Sequence, residues 1–361
     1  MPQIRLALAD LDQIFLEKFS AYLQKNKSTH FQLELFTSPA KLENWLDKGE
    51  KADLMAISST FLSKMEHPPA MKNLVVLKDS PQSQIPQHYI TIHKYKPAEW
   101  LMKEILSLCA DNLPEGNNKK EISGRIHLVL YADGSDVLTP MAQALAWLYA
   151  QNQQPSFFIS LDEISNTDSY FTGNNSRGLS EMLYYVKSLK ENLSLKAEAC
   201  TTKDLEYHVD FMKGHHNSED IEKLSPAECE NLIKAIRGRA CYSEIILSRA
   251  FRDDELLPML LKEAHSIYVT ALDYRPSLDR LSKIANQLNR HEERNALALK
   301  DKTLLCVTSM GRGHKPISFE IPGYHKVYLP FPYEEEAGFF PPSKAYQEAL
   351  ESILNKVIET N

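Results

Sequence analysis

The stretch that decides the fold runs Arg125-Ile126-His127-Leu128-Val129-Leu130-Tyr131-Ala132-Asp133-Gly134-Ser135-Asp136-Val137-Leu138-Thr139-Pro140-Met141-Ala142-Gln143-Ala144-Leu145-Ala146-Trp147-Leu148-Tyr149-Ala150-Gln151. Ile126–Leu130 is a short run dominated by branched apolar residues, as a strand buried on both faces requires. A turn-forming segment with Gly134 at its centre follows. From Thr139 to Gln151 the residues are good helix formers, apolar on most faces. Strand, loop and helix in this order make the elementary unit of an α/β fold.

Working outward, the same alternation continues in both directions. Downstream, strands are expected at Ser156–Leu161, Glu244–Leu247, Ser266–Thr270 and Thr303–Val307, and a last helix at Ser343–Ile358. The polar segment Asp204–Glu228, with His215-His216, is expected to be an irregular insertion. Upstream, Ile4–Ala9, Phe31–Phe36, Leu54–Ile57, Leu74–Leu77 and Tyr89–Ile92 read as five strands. Between them, Phe15, Leu16, Phe19, Tyr22 and Leu23 recur at helical spacing, Ser38-Pro39 opens a second helix, and Pro97 to Leu108 closes the set. Asp111–Lys120 is rich in turn formers and reads as a linker. The expected architecture is α/β with two doubly wound domains, 1–110 and 124–361, joined by 111–123.

The chain has 361 residues, with 41 Lys+Arg against 48 Asp+Glu for a net charge of −7. A hydrophobic share of 43% supports folded domains rather than disorder. The acidic balance argues against wholesale nucleic-acid binding, which needs many cations against phosphates. No stretch approaches the ~18 consecutive apolar residues of a membrane span. The N-terminus lacks the apolar core and small-residue cleavage site of a secretory signal. Cys109, Cys200, Cys229, Cys241 and Cys306 are scattered without a C-x-x-C pair, so free thiols in a reducing cytoplasm are expected.

A phosphate-binding loop works because glycines let backbone N–H groups approach the phosphates while lysine and Ser/Thr handle the terminal phosphate and Mg²⁺. The Asp133–Thr139 loop resembles the deviant Walker A motif of the MinD/ParA ATPases, KGGVGKT, followed by a helix of the type LAxNLAxxLA. On that pattern Asp133 replaces the signature lysine, Val137 the last glycine and Leu138 the P-loop lysine, while Gly134 and Thr139 persist and Ser135 and Asp136 complete the loop. A carboxylate within a few ångströms of a phosphate is repulsive by several kcal/mol, so ATP is not expected here without a compensating cation. Phe157–Asp168 resembles the family's second strand and acidic switch, with Asp162 and Asp168 as its acids. Tyr242–Ser248 resembles the Walker B strand, with Ser248 in place of the Mg²⁺-linked Asp. Val269–Leu278 and Leu329–Ala337 resemble later landmarks in the same order.

The first domain resembles a response-regulator receiver. That family holds Mg²⁺ on an acidic pair after strand one, accepts phosphate on an Asp after strand three, and adds a Ser/Thr after strand four and a Lys after strand five. Here Asp10 is kept, Leu11 stands where the second acid belongs, Ser58 occupies the acceptor position, Lys78 lies near the hydroxyl position and Lys94 fits the lysine. The resemblance implies a docking module rather than a phosphorylated switch.

A receiver-like domain followed by a MinD/ParA-like domain is the layout of the TadZ/CpaE family of Tad (Flp) pilus localisation proteins. Gly178–Lys187 resembles the GLSDLLYYLK segment of Gram-positive members, and Lys94-Tyr95 with Ala98-Glu99 resembles their KYxxAE entry to the last receiver helix. Membership implies a cytoplasmic scaffold, homodimeric, recruited to a membrane complex by protein partners of a pilus or secretion apparatus, without nucleic acid or a transmembrane segment. The residues predict no catalytic group, no metal and no cofactor. The alternatives are an ATP/Mg²⁺-binding switch with Thr139 on Mg²⁺, Asp162 or Asp168 in the acidic role and Lys203, Lys315 or another distant lysine restoring the charge, or a pseudo-receiver regulator.

Three further features have a plain reading. His215-His216 with Asp210, Glu219 and Asp220 lacks the convergence a metal site needs. Gly311-Arg312-Gly313-His314-Lys315 follows a strand end and could meet an anion or a base, or simply turn. The last helix has an apolar stripe, but its polar face is too acidic for a membrane anchor and reads as a packing helix.

Overall fold

The computed structural model describes residues 4–25, 31–80, 83, 85–110, 124–134, 136–239, 241–311, 313, 315–334 and 340–359. The expected linker 111–123, together with Ser135, Arg312, His314 and 335–337, lies outside them. The chain forms a mixed α/β structure with two sheets, parallel except for one antiparallel edge strand in the second, divided into two compact units.

The first unit holds the sheet order β2-β1-β3-β4-β5, the doubly wound order in which ligands sit where neighbouring connections diverge. Its strands are β1 (Ile4–Ala9), β2 (Phe31–Phe36), β3 (Leu54–Ser58), β4 (Leu74–Lys78) and β5 (Ile90–His93), all parallel. Every residue of β3 is buried, which is why that strand is apolar throughout rather than alternating. One face is covered by α1 (Gln13–Lys25) and α4 (Ala98–Cys109), which bring Leu16, Phe19, Leu101 and Ile105 to the core. On the other, α2 (Pro39–Asp47) and α3 (Ser59–Leu62) bring Leu42 and Phe61.

This unit is not contiguous in the chain. Tyr184–Cys200 and Leu232–Cys241 cluster with it. The helix α8 (Leu193–Cys200) packs on α4, with Leu195 in the same core. Asn192 donates to the Ala110 carbonyl at 2.7 Å, and Ser107 and Tyr185 share a hydroxyl contact of 3.1 Å. Lys196 is buried against the Tyr185 ring, and Glu198 pairs with buried Arg239.

The second unit is built on eight strands in the order β13-β12-β11-β6-β10-β7-β9-β8. The central ones are β6 (Arg125–Tyr131), β7 (Ser156–Ser160), β10 (Glu244–Ala250), β11 (Ser266–Leu272) and β12 (Thr303–Thr308), all parallel. The edge strand β13 (His325–Leu329) pairs parallel with β12. The segment expected to be an irregular insertion instead supplies β9 (Asp210–Met212), which joins β7 in parallel, and β8 (Thr201–Lys203) closes that edge antiparallel. Three-residue strands carry too short a pattern to announce themselves.

The helix α5 (Met141–Gln151) follows the deciding loop and is buried on nearly all sides, as a helix apolar all round must be. It packs with α13 (Lys344–Glu359), whose Tyr346, Leu350, Ile353 and Leu354 are buried in the same core. The last helix is therefore a packing element. At the sheet edge opposite the loop, buried Glu244 takes Arg125 at 2.6 Å and His127 at 2.7 Å. These partners hold its carboxyl below the usual range against burial, which pushes the other way.

Candidate functional site

The loop after β6 lies at the carboxyl edge of the central strands, between β10 and β11. Gly134 has φ +77°, a left-handed conformation that glycine adopts without strain, and the turn there is open to solvent. On one side of this turn Asp133 folds inward. Its Oδ2 accepts the Leu272 N–H at 3.2 Å and the Ser277 hydroxyl. Ser277 in turn accepts the Leu272 N–H at 2.8 Å, so the loop is tied to the end of β11.

On the other side Asp136 is 5% exposed. Its carboxylate accepts from Asn166 Nδ2 at 2.8 Å and from Gln143 Nε2, while its carbonyl accepts the Thr139 N–H at 3.0 Å. Burial raises the Asp136 pKa, and the Asn166 and Gln143 donors only partly offset it. Asp162, after β7, accepts from Ser160 Oγ at 3.1 Å and from the Ala250 N–H. Burial, aided by the Asp136 charge, pushes its carboxyl up to about 6. The Tyr131 phenol is driven well above its ordinary value by burial and then by these two acids.

The cation acting on Asp162 is Arg249, a buried residue at the end of β10 whose guanidinium is forked onto Asp254. It stands beside Ser248, which is buried within the strand. Thr139 is buried with its hydroxyl accepting from Thr270 at 3.4 Å, whereas Val137 and Leu138 are 54% and 39% exposed. The Tyr333 hydroxyl closes over the loop by donating to the Val137 carbonyl.

The structure thus brings together Asp136, Thr139, Ser248 and Asp162, while Asp133 turns to the end of β11. Asp168 is exposed in the short helix α6 (Thr167–Tyr170). Lys203 and Lys315 are exposed, and neither is among the groups acting on Asp136 or Asp162. The partners Gln143, Asn166, Arg249 and Tyr333 escaped sequence reading. Gln143 was legible as the one polar side chain on the first turn of an apolar helix. Arg249 was legible as a charge at the end of a buried strand.

Beside the loop, the ends of β11, β12 and β13 enclose a cleft of about 490 Å³ lined by Asp273, Ser309, Tyr328, Phe331, Tyr333 and Ser343, with Gly311 and Gly313 at its rim. Asp273 is buried and accepts the Ile317 N–H at 3.1 Å. His215 meets the Glu163 carbonyl at 3.0 Å while the His216 backbone donates to Ser180, so the adjacent histidines take separate partners. Among the described residues no group of three or more His, Cys, Asp or Glu could hold a metal ion.

In the first unit a second polar centre sits at the carboxyl edge. Lys94, 2% exposed, lies 2.8 Å from Asp10 and 3.1 Å from Asp79. The Phe15 and Tyr95 rings flank its ammonium at 4.7 and 5.4 Å. The two acids raise the Lys94 pKa against the desolvation that would lower it. Ser58 is fully buried and caps α3 by accepting the Phe61 N–H at 3.3 Å. Leu11 is exposed at the rim. The residue after β4 whose side chain enters the centre is Asp79, one position beyond Lys78.

No family model and no curated protein matches the chain. Among solved structures it is similar to a ParA family ATPase from Chlorobium tepidum TLS, with 16% identity over 67% of this chain and 100% of that chain and a TM-score of 0.49. It is also similar to the MinD cell division protein of Aquifex aeolicus, with 13% identity over 64% of this chain and 97% of that chain and a TM-score of 0.48. The MinC:MinD cell division protein complex of the same organism gives 12% identity, 64% and 96% coverage and a TM-score of 0.48. Likenesses at this level assign no function. Among the described residues no helix is long and apolar enough to cross a membrane.

Proposed function

We propose that the chain is a non-catalytic scaffold or localisation protein of the TadZ/CpaE kind, with a receiver-like docking unit and a MinD/ParA-like unit whose nucleotide site has degenerated. It acts through protein–protein contacts with a pilus or secretion apparatus. It works as a homodimer in the cytoplasm and is recruited by its partners to a membrane complex. The observation that carries this reading is Asp136, a buried acid held by Gln143 and Asn166 inside the loop where a phosphate-binding site would present backbone N–H groups and a lysine. With Asp133 and Asp162 nearby in the same unit, a triphosphate would meet acids, and the buried Arg249 is already engaged by Asp254. Exposed Val137 and Leu138 give the loop an apolar surface suited to a protein partner.

Calorimetric titration of the full chain with Mg²⁺–ATP, with light scattering for mass, tests it. No heat and an unchanged mass are expected. Micromolar binding of Mg²⁺–ATP, with or without a change of mass, would overturn the pseudo-ATPase reading. One observation favours a nucleotide-binding switch as the second reading. The 490 Å³ cleft beside the loop offers aromatic walls from Tyr328, Phe331 and Tyr333 and polar groups from Asp273 and Ser309, a lining that suits a planar ring with polar edges.

A further inference from the structure

In the second unit the 21-residue helix α12 (Arg275–Asn295) packs on β11, burying Leu278, Leu281, Ile284, Ala285 and Leu288. On its other side Arg280, Lys283, Arg290 and Arg294 are exposed. At about 100° per residue these four cations fall within a sector of about 80°, shared only with Pro276 and Gln287. None of the four has an ion-pair or hydrogen-bond partner among the described residues. The acids of α12 lie outside the sector, and Asp279 and Glu292 are taken by Arg275 and Lys300 at 3.3 Å each. Asp253, brought by the loop after β10, is taken by His291 at 2.6 Å. Arg280 with Lys283, and Arg290 with Arg294, are like charges three and four residues apart, an arrangement that weakens a helix. The stripe thus works against the element that carries it, on a chain whose net charge is −7.

We propose that this stripe docks the chain on an anionic lipid bilayer, with α12 lying along the membrane face. The cations span 294 − 280 = 14 residues, about 21 Å at about 1.5 Å per residue, in a straight row. A plane of mobile anionic headgroups meets such a row along its whole length, whereas the phosphates of a nucleic-acid duplex wind away from it. A protein partner ordinarily docks on buried apolar or aromatic anchors, with lysine depleted. The sector holds no such anchor, so diffuse charge is what it has to offer. The contact would be direct, in addition to any recruitment by protein partners. It rests on α12 alone, whatever the Asp133–Thr139 loop binds, and needs no other protein to be seen.

The test is co-sedimentation of the full-length chain, at millimolar lipid and about 0.1 M salt, with vesicles of phosphatidylcholine and phosphatidylglycerol in about a 7:3 ratio. Wild type should pellet with these and not with phosphatidylcholine alone, and about 1 M salt should release it. Each cation near such a surface strengthens binding about fivefold, so Arg280→Gln/Lys283→Gln/Arg290→Gln/Arg294→Gln should bind roughly six-hundredfold more weakly. Gln287→Glu keeps the fold testable should that variant melt early, because the new carboxylate pairs with Lys283 and Arg290 along the helix. It should weaken binding about fivefold. Wild type that ignores the anionic vesicles, or pellets equally with neutral ones, would overturn the proposal. Full binding by the folded four-site variant, or by Gln287→Glu, would do the same. Tighter binding to a DNA duplex than to the vesicles, lost in the same variants, would overturn it in favour of nucleic acid.

Discussion

Replacing Asp162 by Asn should stabilise the second unit at neutral pH, and the size of the gain follows from its surroundings. The carboxylate is largely enclosed, accepts from Ser160 Oγ and the Ala250 N–H, and lies near the Asp136 charge. Burial is the dominant cause of a pKa raised from 3.8 to about 6. For an acid with a raised folded pKa, the folded state binds the extra proton between the two values, so stability falls as pH rises through that window. At about 1.36 kcal/mol per unit, ionisation costs about 3 kcal/mol at pH 7.5 but only about 0.5 kcal/mol at pH 4. An asparagine keeps the acceptor for Ala250 N–H and can donate to Ser160 Oγ, so it avoids this cost without losing a bond. Urea unfolding followed by Trp147 fluorescence, with Trp45 and Trp100 changed to Phe in both chains, reads the second unit. The Asn variant should gain about 3 kcal/mol at pH 7.5, and the gain should shrink toward pH 4. An Asn variant no more stable than its parent at pH 7.5, or a gain independent of pH, would refute the reasoning. Retention of so costly an acid is what a role in partner or ligand contact would predict.

Other outcomes follow from the same geometry. Lys94→Met leaves buried Asp10 and half-buried Asp79 without their cation and should cost the first unit about 3–5 kcal/mol, read by urea unfolding on Trp45 and Trp100 fluorescence. Leu350→Ala removes a fully buried side chain of α13 and should cost about 2–5 kcal/mol, while leaving vesicle pelleting unchanged because that face is packed on α5. Titration with an aromatic disulfide reagent should find Cys241 the fastest thiol. It is half-buried, whereas Cys109, Cys200, Cys229 and Cys306 are buried, and burial alone pushes Cys109 up to about 12. A prompt reaction of two or more thiols would contradict this.

The central strands and the α/β alternation were legible because strands buried on both faces carry unbroken apolar runs, as Leu54–Ser58 and Ser266–Leu272 do. The short strands β8 and β9 were not, since three residues supply no period and their pairing is decided by tertiary contact. The placement of α8 was hidden by Lys196 and Glu198, charges that read as solvent-facing but are buried against Tyr185 and Arg239. In the candidate sites, Asp10, Lys94, Asp136 and Thr139 each follow the end of a strand that its apolar run announces. Long-range partners such as Asn166 for Asp136 and Asp79 for Lys94 depend on where loops converge, which no local pattern encodes.

The dispersed make-up of the first unit has a consequence for its birth on the ribosome. Its five strands and α4 are complete at Cys109, yet the α8 residue that fills their core, Leu195, is translated 195 − 109 = 86 residues later. At about 5–20 residues per second the nascent sheet waits roughly 4–17 s with the α8-facing side of α4 uncovered. Synthesis of this chain therefore imposes a delay in which its first unit is emerged but unfinished. Chaperones that bind apolar helix faces would be expected to meet the chain in that interval, and to leave once residues 184–241 have emerged.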